Sequence, residues 1–223
     1  MKHVLDVAHA RRRALAARRS KVGFTLIELL AVILIIGILA VALLPMVTGA
    51  IEEAKVTASE ANLRNVYSSM LIYENKYGRL PSKSGVRFFA ELYQKKAMEQ
   101  TKTNAERLTC PGVDIGALTI GDLPWEEWWT DLDAIDGSYS AYAGRDCKNF
   151  PLRKLSGKEV LVATDNDPYM NFETTTLALY GDGSVHRLEV GTLQDEGILD
   201  LEETYLAVGP DSPLEDLQKL SLD

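Results

Sequence analysis

One stretch decides the fold of this chain: KVGFTLIELLAVILIIGILAVALLP, residues 21–45. From residue 24 to residue 44 it has 21 residues, and Glu28 is the only charged one among them. At ~1.5 Å of rise per residue, a helix of that length spans roughly 31 Å, about the thickness of a bilayer's hydrocarbon core. The stretch therefore predicts a membrane-spanning helix over residues 24–44.

Charge is distributed unevenly around this helix. Residues 1–23 hold seven of the chain's 24 Lys and Arg residues but only one of its 32 acids, which leaves 17 basic and 31 acidic residues for the rest. Because a positive leader stays on the cytoplasmic side, the pattern predicts a single-pass inner-membrane protein whose residues after Pro45 lie in the periplasm. The acidic remainder argues against nucleic acid as a partner.

A cleaved secretory signal peptide is the alternative interpretation of the same segment. Ala40, Val41 and Ala42 match the small-x-small pattern that signal peptidase cuts. However, the apolar region of a signal peptide is ~7–15 residues long, and this one is longer. A signal peptide also has no use for Glu28, so the membrane-spanning helix is the favoured interpretation.

Glu28 is the unexpected residue, because an ionisable group within a membrane span is costly. One explanation is that its side chain reaches back to the membrane surface. The other requires a positive partner, which would arise if the chain were cut between Gly23 and Phe24. The new α-amino group of Phe24 would then be four residues away, and Glu28 of one subunit could neutralise that amine on a neighbour in apolar surroundings.

The residues GFTLIELL, positions 23–30, resemble the processing site of type IV prepilins and of the pseudopilins of type II secretion. The resemblance implies that a prepilin peptidase cuts after Gly23 and that Phe24 becomes the N-methylated terminus. It also implies that Glu28 sets the position of each subunit during filament assembly. Gly37 and Pro45 lie where many members have helix-weakening residues, consistent with the effects of both residue types on helices.

An amphipathic helix is predicted to continue over residues 45–78. Gly78 is its predicted C-cap, and Pro81 follows soon after. This second half is expected to pack on a periplasmic head formed by residues 79–223, and the first half is expected to project from it. The apolar residues that define its predicted buried stripe are Val47, Ile51, Ala54, Ala58, Ala61, Val66, Met70, Tyr73 and Tyr77.

The head is predicted to be a small antiparallel sheet with the long helix laid across it, an α+β fold. A helix is expected over residues 86–100, and strands over residues 138–142, 159–164, 174–180 and 185–190. Gly181, Asp182, Gly183 and Ser184 predict a hairpin between the last two strands. The acidic tail from Gly191 onward is a strap over the head or a mobile segment, and partial disorder near its end is the favoured interpretation.

Cys110 and Cys147 both follow the membrane span, in a compartment where paired cysteines usually form disulfides. A disulfide between them is therefore predicted, with two buried free thiols as the alternative. Closing a loop of this size would stabilise the fold by roughly 3–4 kcal/mol. The two cysteines lack the spacing of a redox motif and are too few for a structural zinc site.

An acidic loop around residues 165–173 offers hard oxygen ligands. Asp165 and Asp167 are the candidate ligands for calcium, although Met170 stands where an EF-hand loop requires glycine. Major pseudopilins bind calcium in a loop near their final strands, so the resemblance implies a comparable site here. A solvated acidic turn is the alternative, and no other cofactor is predicted.

Enzymatic activity is not predicted, because the chain lacks a recognisable nucleophile, base and orienting group and has no phosphate-binding glycine loop. Trp125, Trp128 and Trp129 are interpreted as core residues, with a sugar- or partner-binding platform as the alternative. His186 is interpreted as an exposed strand residue.

Two hypotheses about function follow from the resemblance. The first is a structural subunit of a type II secretion pseudopilus or type IV pilus, whose partners are the prepilin peptidase, other subunits and an inner-membrane assembly platform. The second is a membrane-tethered binding module or minor adhesive pilin that shares the processing site but stays out of the main filament. The exit of the predicted helix, YENKYGRLP at residues 73–81, resembles that of major pseudopilins.

Overall fold

The computed structural model describes residues 24–166 and 171–223. The chain divides into two compact units, Met1–Val47 and Thr48–Asp223. The first unit, as far as it is described, is helix α1 alone, which extends over Leu26–Tyr77 and so continues into the second unit. The second unit also contains helices α2 (Val86–Gln94), α3 (Lys102–Arg107) and α4 (Val190–Asp195) and an antiparallel sheet. The fold is α+β, as predicted.

Within the second unit, α1 buries one stripe of side chains. The prediction is confirmed for Val66, Met70 and Tyr73. It is wrong for the other predicted members, which are exposed: Val47, Ile51, Ala54, Ala58, Ala61 and Tyr77. The observed stripe includes a polar residue, Ser59, which an apolar pattern does not reveal. The hydroxyl of Ser59 is hydrogen-bonded at 2.7 Å to the hydroxyl of Tyr142 in the sheet. The buried residues follow three- and four-residue steps: Val56, Ser59, Leu63, Val66, Met70 and Tyr73.

Helix α1 ends as predicted. Gly78 has a φ of 69°, a left-handed conformation that glycine adopts without steric cost. Its N–H donates to the carbonyl of Glu74 at 2.7 Å, which satisfies one of the last free carbonyl groups of the helix. Within the last turns of α1, the hydroxyl of Tyr73 donates a hydrogen bond to the buried carboxylate of Glu91 at 2.6 Å, which links α1 to α2.

The helix predicted over residues 86–100 is shorter than expected and ends at Gln94, and a separate helix follows at Lys102–Arg107. Helix α2 buries Phe88, Phe89, Leu92 and Tyr93, as expected. The helix then stops because Lys96 adopts a φ of 56°, outside the helical region. A new helix, α3, begins after Thr101. The hydroxyl of Thr101 accepts the N–H of Asn104 and caps the helix, which favours a helix start at this residue.

Five strands form one sheet in the order β4-β3-β2-β1-β5, and all neighbours are antiparallel. The strands are β1 (Tyr142–Arg145), β2 (Val160–Thr164), β3 (Thr175–Tyr180), β4 (Val185–Glu189) and β5 (Leu220–Ser221). Three strands agree with the sequence prediction. The strand expected over residues 138–142 begins only at its last residue, because Asp136 accepts the N–H of Ser138 and caps a 3-10 turn at Gly137–Tyr139.

The predicted hairpin between β3 and β4 is confirmed. The N–H of Gly183 donates to the carbonyl of Tyr180 at 3.0 Å, and the N–H of Tyr180 donates to the carbonyl of Ser184 at 2.9 Å. Gly183 has a φ of 85°, so the turn needs the conformational freedom of glycine at this position.

The C-terminal tail is ordered, so the expectation of partial disorder is wrong. Leu206, Leu217 and Leu220 are fully buried in a second hydrophobic cluster with sheet residues such as Val160 and Ala178. The chain then pairs β5 with β1. The physical reason is that α1 and α2 contribute to the core on one side of the sheet, whereas the tail covers apolar residues of β2 and β3 that would otherwise meet water.

Candidate processing and assembly site

The start of α1 is built by two polar side chains. Glu28 accepts hydrogen bonds from the backbone N–H and from the hydroxyl of Thr25, both 2.8 Å long to the same carboxylate oxygen. In return, the N–H of Glu28 donates to the hydroxyl of Thr25 at 3.3 Å. This reciprocal pattern is a capping box, in which a residue before the helix and the third helical residue satisfy each other's free N–H groups.

Phe24 is the first described residue and lies directly before this cap. Its side chain is 77% exposed, and the Glu28 carboxylate lies close by because it is bonded to the next residue along the chain, Thr25. Gly23, the predicted residue before the cut, lies outside the described residues. The predicted roles of Gly23, Phe24 and Glu28 in cleavage, methylation and assembly therefore stay predictions.

The helix that follows presents apolar side chains on every side. All described side chains from residue 24 to residue 44 are exposed, and an 18-residue window of α1 has a mean hydropathy of 3.1 with none of it buried. By length and composition, α1 is the one helix in the described part of the chain that could cross a membrane. Such a surface requires lipid or other apolar helices around it.

The two predicted helix-weakening positions do not interrupt α1, which continues through residues 37 and 45. Gly37 has open space where a side chain would begin. Any extension of the helix at these positions during assembly stays a prediction.

Comparison with known proteins identifies the same segment. Residues 18–44 match the model of the prokaryotic N-terminal methylation motif. A segment of 57 residues is 37% identical to the type II secretion system core protein G of Pseudomonas aeruginosa. Both matches support the resemblance to the pilin and pseudopilin family. The capping box and the apolar surface of α1 lie within the matched residues 18–44.

The similarity covers only part of each chain. The matched segment is 26% of this chain and 40% of the Pseudomonas aeruginosa protein. No solved structure matches the chain. The head, residues 79–223, is therefore described from its own contacts.

The predicted disulfide is wrong, because Cys110 and Cys147 are both free, buried thiols with different neighbours. The Cys110 sulfur lies 3.8 Å from the hydroxyl of Ser59, and the Cys147 sulfur lies 3.7 Å from the carbonyl of Pro81. Burial raises the pKa of each thiol to about 11. Both cysteines pack as small apolar residues in the same hydrophobic cluster.

The predicted calcium ligands lie only partly within the described residues. Asp165 is buried, and its N–H donates to the carbonyl of Ala141 at 3.0 Å. Asp167 lies outside the described residues. Within residues 24–166 and 171–223, no group of three or more His, Cys, Asp or Glu side chains is arranged to hold a metal ion. The calcium site stays a prediction.

Two of the three tryptophans, Trp128 and Trp129, are core residues as interpreted from the sequence, and Trp125 is partly buried against the core. Trp129 is fully buried and donates its Nε1 hydrogen to the carbonyl of Ala105 at 3.0 Å. Trp128 is also buried and donates to the carbonyl of Leu123 at 2.9 Å. These rings therefore present no exposed platform to a sugar or a partner protein.

Thr25 is the residue of this site that the sequence interpretation missed. The pattern Thr25-Leu26-Ile27-Glu28 has the spacing of a capping box directly before an apolar run, and that signal was available in the sequence. It gives Glu28 a role in the single subunit, in addition to any contact with a neighbour.

Proposed function

We propose that this chain is a structural subunit of a filament rather than an enzyme. A prepilin peptidase cuts it between Gly23 and Phe24, Phe24 is N-methylated, and the apolar part of α1 then enters the filament core. The observation that supports this most strongly is the position of the Glu28 carboxylate, beside residue 24, on a helix whose other exposed side chains in this region are almost all apolar.

The physical argument concerns the apolar surface. Each Å² of apolar surface left in water costs roughly 25 cal/mol, so a 21-residue apolar helix can leave the bilayer only if another apolar environment replaces the lipid. Packing of the same helices from many subunits supplies that environment. Within it, the Glu28 carboxylate would be uncompensated unless a positive group, the amine of Phe24 on a neighbour, lies next to it.

This proposal sets the location and partners of the protein. Before assembly, the subunit is a single-pass inner-membrane protein with its leader in the cytoplasm and its head in the periplasm. Its partners are the prepilin peptidase, an inner-membrane assembly platform and other subunits. We place it in a type II secretion pseudopilus in preference to a type IV pilus, because the relative that it resembles is a type II secretion core protein. The alternative of a binding module is weakened because Trp128 and Trp129 are buried and Trp125 is half-buried against the core.

The test is a pair of substitutions in the full chain, produced together with a prepilin peptidase and an assembly system. Glu28→Ala and Glu28→Gln should both be cut normally but should not enter filaments, because neither can pair with the amine. Glu28→Asp, which keeps the charge, is the matched control and should retain part of the assembly. Normal filaments from Glu28→Gln would overturn the proposal.

A further inference from the structure

We propose that Leu201 of one subunit inserts into an apolar cavity beside Cys147 of a neighbouring copy of the same chain. This contact rests on the proposed function, because it is a contact between heads within the filament. It joins two different surfaces of the head, and such a contact repeats from copy to copy into an open assembly rather than closing into a dimer.

The first surface is the leucine loop, residues 197–203. Leu201 is 84% exposed, the most exposed large apolar side chain among the described residues of the second unit. One exposed leucine needs no partner by itself, but it indicates a contact when a second surface matches it in shape and in charge.

The leucine loop is held in shape by its own hydrogen bonds. The side-chain amide of Gln194 lies 3.2, 3.4 and 2.9 Å from the carbonyl oxygens of Asp200, Leu201 and Glu203. The carboxylate of Glu203 also accepts the N–H of Asp200 at 2.8 Å. Because the loop is already ordered, inserting Leu201 into a partner costs little additional conformational entropy.

Acidic residues surround the exposed leucine. Asp200, Glu202 and Glu203 are all exposed, and none of them forms a salt bridge within residues 24–166 and 171–223. The leucine loop therefore offers one apolar side chain inside a negative rim. Its partner must combine an apolar cavity with a positive rim.

The second surface has both properties. A cavity of about 180 Å³ is lined by Pro81, Cys147, Pro151 and Leu152, and most of its lining is apolar. A cavity of ~150 Å³ lined by apolar side chains is large enough for benzene, so the four side-chain carbons of a leucine fit within this volume.

Two arginines stand at the rim of this cavity. Arg79 and Arg153 both line it, both are exposed, and neither forms a salt bridge within the described part of the chain. Acidic residues outnumber basic residues after residue 23. Two arginines without a salt bridge beside one cavity are therefore a distinctive feature. Their charges complement the acidic rim of the leucine loop, and that match favours a second copy of this chain as the occupant.

Cross-linking in the full chain tests the contact directly. Leu201→Cys places a new thiol on the loop, and Cys147 supplies a natural one in the cavity, where it is 9% exposed. With copper phenanthroline as the oxidant, two thiols lose two hydrogens and form one disulfide. We expect covalent dimers and a ladder of larger species. Leu201→Cys with Cys147→Ser should give none, and neither should Leu123→Cys, a control at an exposed apolar residue outside the cavity.

A second pair removes the dependence on the slow reaction of a buried thiol. Leu201→Cys combined with Pro151→Cys, in a Cys147→Ser background, joins the loop to an exposed residue of the same cavity.

Charge exchange gives an independent measurement. Arg153→Glu should reduce filament yield about tenfold or more, and adding Glu202→Arg should restore most of it.

The outcomes separate this contact from the proposed function. Filaments that require Glu28 but show no cross-link from either cysteine pair would overturn the contact and leave the function standing. Cross-linked copies whose leader is still attached would support the contact and overturn the function. A Leu201→Cys adduct that contains a different protein in place of a second copy would also overturn the contact.

Discussion

The carboxylate of Glu28 and the hydroxyl of Thr25 are hydrogen-bonded to each other at 2.8 Å, in the first turn of the apolar helix. The same carboxylate oxygen accepts the backbone N–H of Thr25. Glu28 thus has a structural partner within the single subunit, and its charge is oriented toward the end of the helix where cleavage would create an amine. Helix capping and subunit pairing are two separable tasks of one side chain.

Substitutions at Thr25 separate these tasks. Thr25→Val removes the hydroxyl, which should weaken the helix start by about 1 kcal/mol but leave the charge of Glu28 in place. We therefore expect cleavage and filament yield to stay within a few-fold of the unmodified chain, measured as the amount of sheared filament. Thr25→Ser keeps the hydroxyl and serves as the control. If Thr25→Val abolished assembly as completely as Glu28→Ala, capping rather than charge would explain the acid.

Trp129 tests whether the tryptophans belong to the core. Because the ring is fully buried and its Nε1 hydrogen is bonded to Ala105, Trp129→Ala should destabilise the head by roughly 3–5 kcal/mol. Resistance of the membrane-bound full chain to protease reports this change. Trp125→Ala, at a half-buried ring, is the comparison and should cost much less. Equal protease resistance of the unmodified chain and Trp129→Ala would show that the ring is not a core residue.

Arg187 on β4 joins the sheet to α1 by contacts with two carboxylates, 2.5 Å to Glu60 and 2.8 Å to Glu53. Arg187→Ala should lower the free energy of unfolding by about 1 kcal/mol, a modest value because the arginine is one-third exposed. Lys102→Ala, which removes an exposed pair with Glu106, is the matched control and should have little effect. Denaturant unfolding in detergent measures both, and equal losses would contradict the account.

The pH dependence of stability follows from the same contact. Burial acts to raise the pKa of Glu60, but hydrogen bonds and charges from Arg187 and Arg64 outweigh it and lower the pKa from 4.5. A group whose pKa is lower in the folded state stabilises the fold above its unfolded pKa. The contribution is therefore present above about pH 4.5 and is lost as the pH falls through the lower folded value. Unfolding of the unmodified chain and of Arg187→Ala should differ less at acidic pH than at pH 7.

The two cysteines should behave as unreactive free thiols. With a pKa of about 11, each thiol is almost entirely protonated at pH 8, so alkylation of the native chain should be slow. Cys147 is 9% exposed and Cys110 is 1% exposed, so Cys147 should react first, and both should react on unfolding. Reducing agent should leave the melting temperature unchanged. An intact mass two hydrogens lower before reduction would restore the predicted disulfide.

The sequence predicts structure best where neighbouring residues alone determine the local conformation. The turn at Gly183 follows from the left-handed conformation that a short hairpin needs, and the cap at Gly78 follows from the end of an amphipathic pattern. The membrane-spanning helix follows from its apolar length. The N-terminal methylation motif, which includes Glu28, is a short local pattern that comparison with known proteins recognises.

The sequence-based predictions fail where contacts between residues far apart in the sequence determine the structure. Ser59 lies on the buried face of α1, where its hydroxyl is hydrogen-bonded to Tyr142. Because Tyr142 lies 83 positions away in the sequence, helical periodicity could not reveal that Ser59 is buried. The tail is acidic and resembles a mobile segment, yet it is fixed by burial of three leucines against the sheet. One signal was available: Val160, Leu161, Val162 and Ala163 form an unbroken apolar run, which indicates a strand covered on both faces.

The most direct test of the central claim is the intact mass and N-terminal sequence of the mature protein, taken from membranes and from sheared filaments. The account predicts a chain that begins at an N-methylated Phe24 in both fractions. A mature chain that still begins at Met1, or one that begins beyond Ala42, would contradict it.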